Sequence, residues 1–154
     1  MAAATLVGQY LGAQDPGEAE RQGWRSNWMA IGTMTVIGIL LVVFARPIAD
    51  IFTNDEDVIE LTILALTIFG FAHPFMAVEF AIGGALRGAG DTIFPMISVF
   101  SGLVVVRLGL ATVLVTFFDA PIEWVWSVLI IDYVLKSILL IGRFRGGAWK
   151  HREV

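Results

Sequence analysis

Four apolar stretches, each long enough to cross a lipid bilayer, dominate this chain. Residues 28–45 contain no charged side chain, and as a helix they extend about 27 Å, enough to span the hydrocarbon core. Residues 58–83, 93–118 and 122–142 are similar, with few charges in each. Of all residues, 57% are hydrophobic and 16% charged, whereas about a quarter are charged in a soluble domain. The sequence therefore predicts an all-α integral membrane fold with four complete transmembrane helices.

The residues before the first of these stretches predict two shorter elements. Residues 1–13 are largely apolar but too short to span a bilayer, so we expect the end of a further, partial N-terminal helix. Asp15 and Pro16, with Glu18 three residues after Asp15, form a helix-start signal. The polar residues through Arg25 then predict a short helix at the membrane surface, separate from the first span.

The basic residues fall almost entirely on one side of the predicted membrane. Arg46 alone lies on the other side. Because cytoplasmic loops carry an excess of Lys and Arg, we expect a multi-pass protein of a prokaryotic plasma membrane whose C-terminus is cytoplasmic. The tail, residues 143–154, is then expected to be solvated. The residues on the basic side are Arg21, Arg25, Arg87, Arg143, Arg145, Lys150 and Arg152.

The composition argues against several other classes of function. There is no cysteine, and the two histidines, His73 and His151, are too far apart to suggest a metal cluster. No phosphate-binding loop or nucleophile–base arrangement is recognisable. We therefore expect no enzyme activity, no metal, no cofactor and no nucleic-acid partner, and the surrounding lipid is the first partner to expect.

A glycine-rich motif separates the second and third spans. Residues 84–91 and 8–15 both read G-x-x-x-G-A-x-D, which predicts an internal repeat with both loops on the same side of the membrane. Glycine tolerates positive φ, so we expect a tight reversal at the later copy, with Asp91 or Thr92 capping the next helix. The residues of this predicted loop are Leu86, Arg87, Gly88, Gly90 and Asp91.

Three charged residues lie near the middle of the last two spans. Asp132 and Lys136 are one helical turn apart, and Arg107 lies at a similar depth in the preceding span. An unpaired charge costs at least about 2.5–3.5 kcal/mol at the centre of a bilayer, so such charges normally pair or line a wet cavity. Asp132 is thus either a carboxylate that binds H⁺ or Na⁺ or the anion of a structural pair with Arg107 or Lys136.

The second span carries a further candidate for ion coupling. Glu79 lies about one turn from the predicted end of that helix, where it could carry a proton. The alternative is a carboxylate that extends to the interface or accepts a hydrogen bond from Arg87.

The same span contains a candidate hinge. Pro74 cannot donate a hydrogen bond to the carbonyl of Gly70, and it follows His73, so we expect a kink near Gly70. The kink is either a point at which the helix bends or a fixed kink with a hydrogen-bonded imidazole.

Aromatic and methionine side chains near the hinge could line an apolar cavity for organic cations. They could equally face lipid or neighbouring helices. The candidates are Phe75, Met76 and Phe80.

Four segments together resemble the second lobe of multidrug and toxic compound extrusion (MATE) transporters. Residues 86–92 read Leu-Arg-Gly-Ala-Gly-Asp-Thr, and residues 8–13 read Gly-Gln-Tyr-Leu-Gly-Ala. Residues 46–53 read Arg-Pro-Ile-Ala-Asp-Ile-Phe-Thr, and residues 143–149 read Arg-Phe-Arg-Gly-Gly-Ala-Trp. The resemblance covers nearly the whole chain in the right order.

The resemblance implies a twelve-helix transporter built from two pseudo-symmetric lobes. This chain would hold the end of helix 8 and helices 9–12, so that it is a half-lobe fragment whose partner is the missing N-terminal lobe. The implied activity is multidrug efflux by antiport of hydrophobic organic cations against H⁺ or Na⁺. Sodium-coupled members usually carry an aspartate where this chain has Met76, which departs from that pattern.

Three alternatives to the exporter remain open. A related flippase of lipid-linked oligosaccharides shares the lobe architecture, but it should have more basic residues in its cavity. A small four-helix exporter that dimerises fits less well, because the strong charge bias argues against dual orientation. The third alternative is a membrane subunit or remnant that does not transport.

Overall fold

The structure is a computed structural model that describes residues 2–151 and is a bundle of helices. Within these residues, four helices are long and apolar enough to cross a membrane, which confirms the predicted fold class; they are Pro16–Val43, Glu56–Gly88, Ile93–Phe118 and Ile122–Arg145. The helices are α1 Ala2–Gly12, α2 Pro16–Val43, α3 Ala45–Phe52, α4 Glu56–Gly88, α5 Ile93–Phe118 and α6 Ile122–Arg145, followed by a 3-10 turn, Ala148–His151.

Helix α2 is longer than the sequence suggested. The Asp15 side chain accepts a hydrogen bond from the amide of Glu18 at 3.0 Å and so begins the helix as predicted. The helix then continues without a break to Val43, so the prediction of a separate surface helix through Arg25 was wrong. No proline interrupts the chain between the polar and apolar parts, and the buried side of the polar part packs onto other helices.

Helix α4 lies at the centre of the bundle and packs against α1, α2, α3 and α6. Its contact with α2 is a direct backbone approach, because a Cβ on Gly38 would lie 2.5 Å from the carbonyl oxygen of Gly70. Small residues allow this proximity, as is common between helices in lipid. A Cβ on Gly32, earlier on α2, would meet nothing within 4 Å, so the close approach does not extend to that part of the helix.

The glycine motif is mostly helical rather than a loop. Helix α4 runs past the predicted end at residue 83 through Leu86, Arg87 and Gly88, and only Gly90 has a positive φ, of 79°. The chain therefore reverses at Gly90, whereas Gly88 lies within the helix. Gly88 instead allows α1 to approach, because a Cβ there would collide with the backbone of Ala4.

Asp91 has a different role from the predicted helix cap. Thr92 is the N-cap of α5 and makes no side-chain capping hydrogen bond. Asp91 is fully buried and accepts a hydrogen bond from Arg143 Nε at 2.8 Å. It thus ties the α4–α5 turn to the end of α6.

The end of α6 and the residues after it are only partly solvated, because Arg145, Gly146 and Ala148 are exposed but two aromatic residues are buried, which corrects part of the prediction for the tail. Phe144 and Trp149 are fully buried, and their rings stack with centroids 4.7 Å apart. The indole of Trp149 donates a hydrogen bond to the carbonyl of Phe144 at 2.7 Å. A Cβ on Gly23 would collide with the Phe144 ring, so the polar start of α2 forms part of this pocket. The rest of the predicted tail, residues 152–154, lies outside the described residues.

The glycine pair on α2 gives a direct test of the packing. Replacing Gly38 with alanine should destabilise the protein by about 1–3 kcal/mol, because the new methyl group forces α2 and α4 apart. The free energy of unfolding in mixed detergent micelles measures this effect.

Gly32→Ala is the matched control, since the same change on the same helix meets open space. It should be neutral or stabilising by up to about 1 kcal/mol, the gain in helix propensity. Equal effects of the two substitutions would contradict the packing of α2 on α4.

Candidate functional site

Four charged side chains from three helices meet in the bundle. Arg107 comes from α5, Asp132 and Lys136 come from α6, and Glu79 comes from α4. They form a chain of alternating charge, in which Asp132 Oδ2 lies 2.6 Å from Arg107 Nε and 3.0 Å from Lys136 Nζ. Lys136 Nζ lies 3.6 Å from Glu79 Oε2. We call these four residues the charge chain.

Asp132 is the most deeply buried member of the charge chain. Its side chain has no exposed surface, and its Oδ2 atom is close to both cations. The Oδ1 atom is buried without a hydrogen-bond partner within the described residues. A carboxylate so enclosed depends on both neighbouring cations for its stability, since burying an uncompensated charge is costly.

Lys136 connects the two carboxylates. Its side chain is 5% exposed and that of Glu79 is 16% exposed, so this ion pair is largely shielded from solvent. The 3.6 Å separation is an ion-pair distance but longer than a hydrogen bond, and Glu79 Oε2 has no hydrogen-bond partner among the described residues. Glu79 is thus the less tightly held of the two carboxylates. Its contact with Lys136 differs from the sequence-based alternatives, an extended carboxylate or one paired with Arg87.

An aromatic ring supports both cations. The centre of the Tyr133 ring lies 5.2 Å from the guanidinium carbon of Arg107 and 5.3 Å from Lys136 Nζ. Cations are attracted to the face of an aromatic ring within about 6 Å, more strongly where water is excluded. Tyr133 therefore favours the positions that both side chains take around Asp132.

The middle of α5 is shaped to fit the charge chain. Residues Gly102–Leu110 form a π-helical segment that includes Arg107. A Cβ on Gly102 would collide with Asp132 Oδ1 and with Lys136 Cε, so only glycine leaves room for these side chains. π-helical turns are rare and often occur at functional sites. Sequence reasoning missed both features, although a glycine facing a buried aspartate is a signal that could have been sought.

A groove of about 260 Å³ opens beside Lys136 between α5 and α6. Ser98, Ser101 and Gly102 line it from α5, and Lys136 and Leu135 line it from α6. The Ser98 hydroxyl is buried without a hydrogen-bond partner in the described part of the chain. The surface of the groove is nearly all apolar, and its α5 wall belongs to a helix other than that of Glu79.

The predicted hinge lies inside a continuous α4. The buried ring of His73 donates from Nδ1 to the carbonyl of Phe69 at 2.7 Å, since that carbonyl can only accept. Pro74 lies within the helix, and Gly70 contacts Gly38 through its backbone. The imidazole is thus hydrogen-bonded, as in the fixed-kink interpretation, and bending at this point stays a prediction.

The three cavity-lining candidates lie on α4 with different exposure. Phe80 borders a groove of about 360 Å³ whose other walls come from α1 and α2, including Met29 and Ala30. Phe75 and Phe80 are exposed in this chain, and Met76 is half-buried. Their contact with a transported molecule stays a prediction. Within residues 2–151, no three His, Asp or Glu side chains are grouped so as to hold a metal ion.

Four spanning helices and a buried charge chain define a multi-pass membrane protein. The MatE family model matches residues 1–113. The probable multidrug resistance protein NorM of Thermotoga maritima is 34% identical over 157 residues, covering 100% of this chain and 33% of that protein. The chain therefore belongs to the MatE family, a family of transporters.

Two further relatives show how much of a family member this chain represents. The probable multidrug resistance protein NorM of Brucella suis is 32% identical over 148 residues, covering 93% of this chain and 31% of that protein. The human multidrug and toxin extrusion protein 1 is 29% identical over 150 residues, covering 97% of this chain and 26% of that protein. The chain thus spans between a quarter and a third of the length of these curated relatives.

Removing the central carboxylate should test the charge chain. Asp132→Asn leaves Arg107 and Lys136 without their shared anion, and breaking a buried ion pair in this way costs about 3–5 kcal/mol. The free energy of unfolding in mixed micelles should fall by this amount.

Asp119→Asn is the matched control. Asp119 is exposed and has a φ of 44°, a conformation that asparagine also tolerates, so this change should be nearly neutral. If Asp132→Asn were as mild as Asp119→Asn, the charge chain would not stabilise the bundle.

Proposed function

We propose that this chain forms part of a multidrug exporter that moves hydrophobic organic cations out of the cell in exchange for H⁺ or Na⁺. Membership of the MatE family supports the proposal, as do the names of the relatives, which describe multidrug resistance and multidrug and toxin extrusion. The observation that carries it is the charge chain, because ionisable residues within membrane spans commonly mark ion pathways.

Within the charge chain, the two carboxylates have different roles. Asp132 has two cations close to one oxygen, which supports a structural role in holding Arg107 and Lys136. Glu79 has a single, longer ion pair and is partly exposed, so it is the carboxylate with capacity for an exchanged ion. Binding of H⁺ or Na⁺ at Glu79 would alternate with binding of an organic cation.

The remaining parts of the transporter follow from this assignment. Bending of α4 at Gly70, His73 and Pro74 would expose Glu79 to alternate sides of the membrane. Phe75, Met76 and Phe80 would provide apolar surface for the organic cation, and an N-terminal lobe would complete the cavity. We place the protein in a prokaryotic plasma membrane with the C-terminus in the cytoplasm, in accordance with the distribution of basic residues.

The oligosaccharide flippase is the weaker alternative. A lipid-linked pyrophosphate needs cations that are free to bind it. Arg107 and Lys136 each lie close to Asp132, and Lys136 also faces Glu79, so both are already compensated. This arrangement favours an exporter of cations.

A chimeric transporter tests the proposed function. This chain would replace the matching third of the Thermotoga maritima relative, and the chimera would be expressed in bacteria that lack their own drug exporters. We expect cells with the chimera to accumulate several-fold less ethidium than cells with an empty vector. A protonophore or removal of Na⁺ should abolish the difference and identify the coupling ion.

Two variants of the chimera provide the controls. Glu79→Gln should abolish export without lowering the amount of protein in the membrane, whereas Glu60→Gln, at an exposed site on the same helix, should leave export unchanged. A chimera that inserts at the parent's abundance but does not lower ethidium accumulation would contradict the proposal and favour a non-transporting remnant.

A further inference from the structure

Lys136 lies at the position where an exchanged cation would have to bind. Its ammonium is 3.6 Å from Glu79 Oε2 and 3.0 Å from Asp132 Oδ2. The charge chain contains two carboxylates and two cations, and its formal charge is zero. Glu79 is therefore already neutralised by a cation that belongs to the protein.

A second cation beside Glu79 would be repelled by the ammonium of Lys136 at these distances. Two like charges about 4 Å apart repel by about 4 kcal/mol at the effective dielectric constant typical near a protein surface, and more in a drier site. Arg107, on the far side of Asp132, adds further positive charge. The neighbouring ring of Tyr133 carries no negative charge that would compensate for it. An incoming cation therefore binds more favourably when the ammonium of Lys136 moves away from Glu79.

The structure provides a place for the displaced ammonium. Lys136 stays close to Asp132 on its own helix, and it lines the groove that contains Ser98 and Ser101 on α5. Because an ammonium group has three donors, it can keep its contact with Asp132 while it moves away from Glu79. A Cβ at position 102 would collide with Lys136 Cε, so glycine there leaves room for the Lys136 side chain.

We propose that Lys136 is a built-in competitor for the transported cation. Its ammonium neutralises Glu79 whenever neither the coupling ion nor the organic cation is bound there, and a monovalent organic cation binds at Glu79 by displacing the ammonium toward Asp132. This inference rests on the proposed function. It adds that the affinity of Glu79 for a transported cation is limited by competition from Lys136. When the transported cation leaves, Lys136 returns, so that Glu79 is not left uncompensated and release is favoured.

The small number of lysines makes the displacement observable. Lys136 and Lys150 are the only two in the chain. The full chain, labelled with ¹⁵N at the lysine side chains and reconstituted in lipid bilayers, should give two ammonium signals in solid-state NMR. Titration with tetraphenylphosphonium should shift the Lys136 signal saturably. The Lys150 signal should not move, because Lys150 pairs with Glu20 of α2 and not with a member of the charge chain.

Binding measurements on variants test the same competition. Lys136→Gln should bind tetraphenylphosphonium at least about tenfold more tightly than the wild type in equilibrium dialysis, since about 1.4 kcal/mol of competition corresponds to a factor of ten. The charge-balanced double variant Glu79→Gln/Lys136→Gln retains the Arg107–Asp132 pair and should lose this gain.

Three results would overturn the inference. These are a Lys136 signal that does not respond to the probe, an affinity that is unchanged by Lys136→Gln, and a gain in affinity that persists in the double variant. If the chimera exports ethidium while the Lys136 signal stays fixed, only the inference fails. A chimera that does not export, with a Lys136 signal that does respond, would contradict the proposed function instead.

Discussion

The ion pairing of the buried Asp132 carboxylate is the interaction on which the contacts among α4, α5 and α6 depend. The carboxylate lies fully enclosed between Arg107 of α5 and Lys136 of its own helix, so both of its cations are in place only while α5 and α6 stay together. Lys136 extends the same interaction to Glu79 of α4. In a lipid environment, where apolar side chains gain little by leaving the lipid, such polar contacts provide specificity that hydrophobic burial cannot.

Glycines allow the charged and apolar contacts to coexist. Gly102 leaves room for the side chains of Asp132 and Lys136, and Gly38 and Gly70 bring α2 against α4. At the end of the bundle, Gly88 and Gly23 make room for the backbone of Ala4 and the ring of Phe144. The positions of the helices around α4 thus depend on the space that glycines leave as much as on side-chain contacts.

The sequence predicts the spans well and the contacts between them less well. Four long apolar stretches leave little choice of fold, and the i,i+4 spacing of Asp132 and Lys136 makes their proximity readable from one helix. The contact between Glu79 and Lys136 depends on which faces of α4 and α6 meet, which no local pattern records.

The tail and the start of α2 were harder to predict. The charges around Phe144 and Trp149 indicate a solvated tail, but the burial of the two aromatic rings depends on a pocket formed with distant Gly23. The prediction of a surface helix that ends at Arg25 was wrong because polarity changes there without any helix-breaking residue.

A double-mutant cycle between Glu79 and Lys136 tests most directly whether α4 and α6 are joined by charge. The free energies of unfolding of the wild type, Glu79→Gln, Lys136→Gln and the double variant give the coupling energy of the pair. The structure predicts that the double variant loses less stability than the sum of the two single variants, by about 0.5–3 kcal/mol. Additive losses would show that the two side chains do not interact, and the charge chain would then end at Lys136.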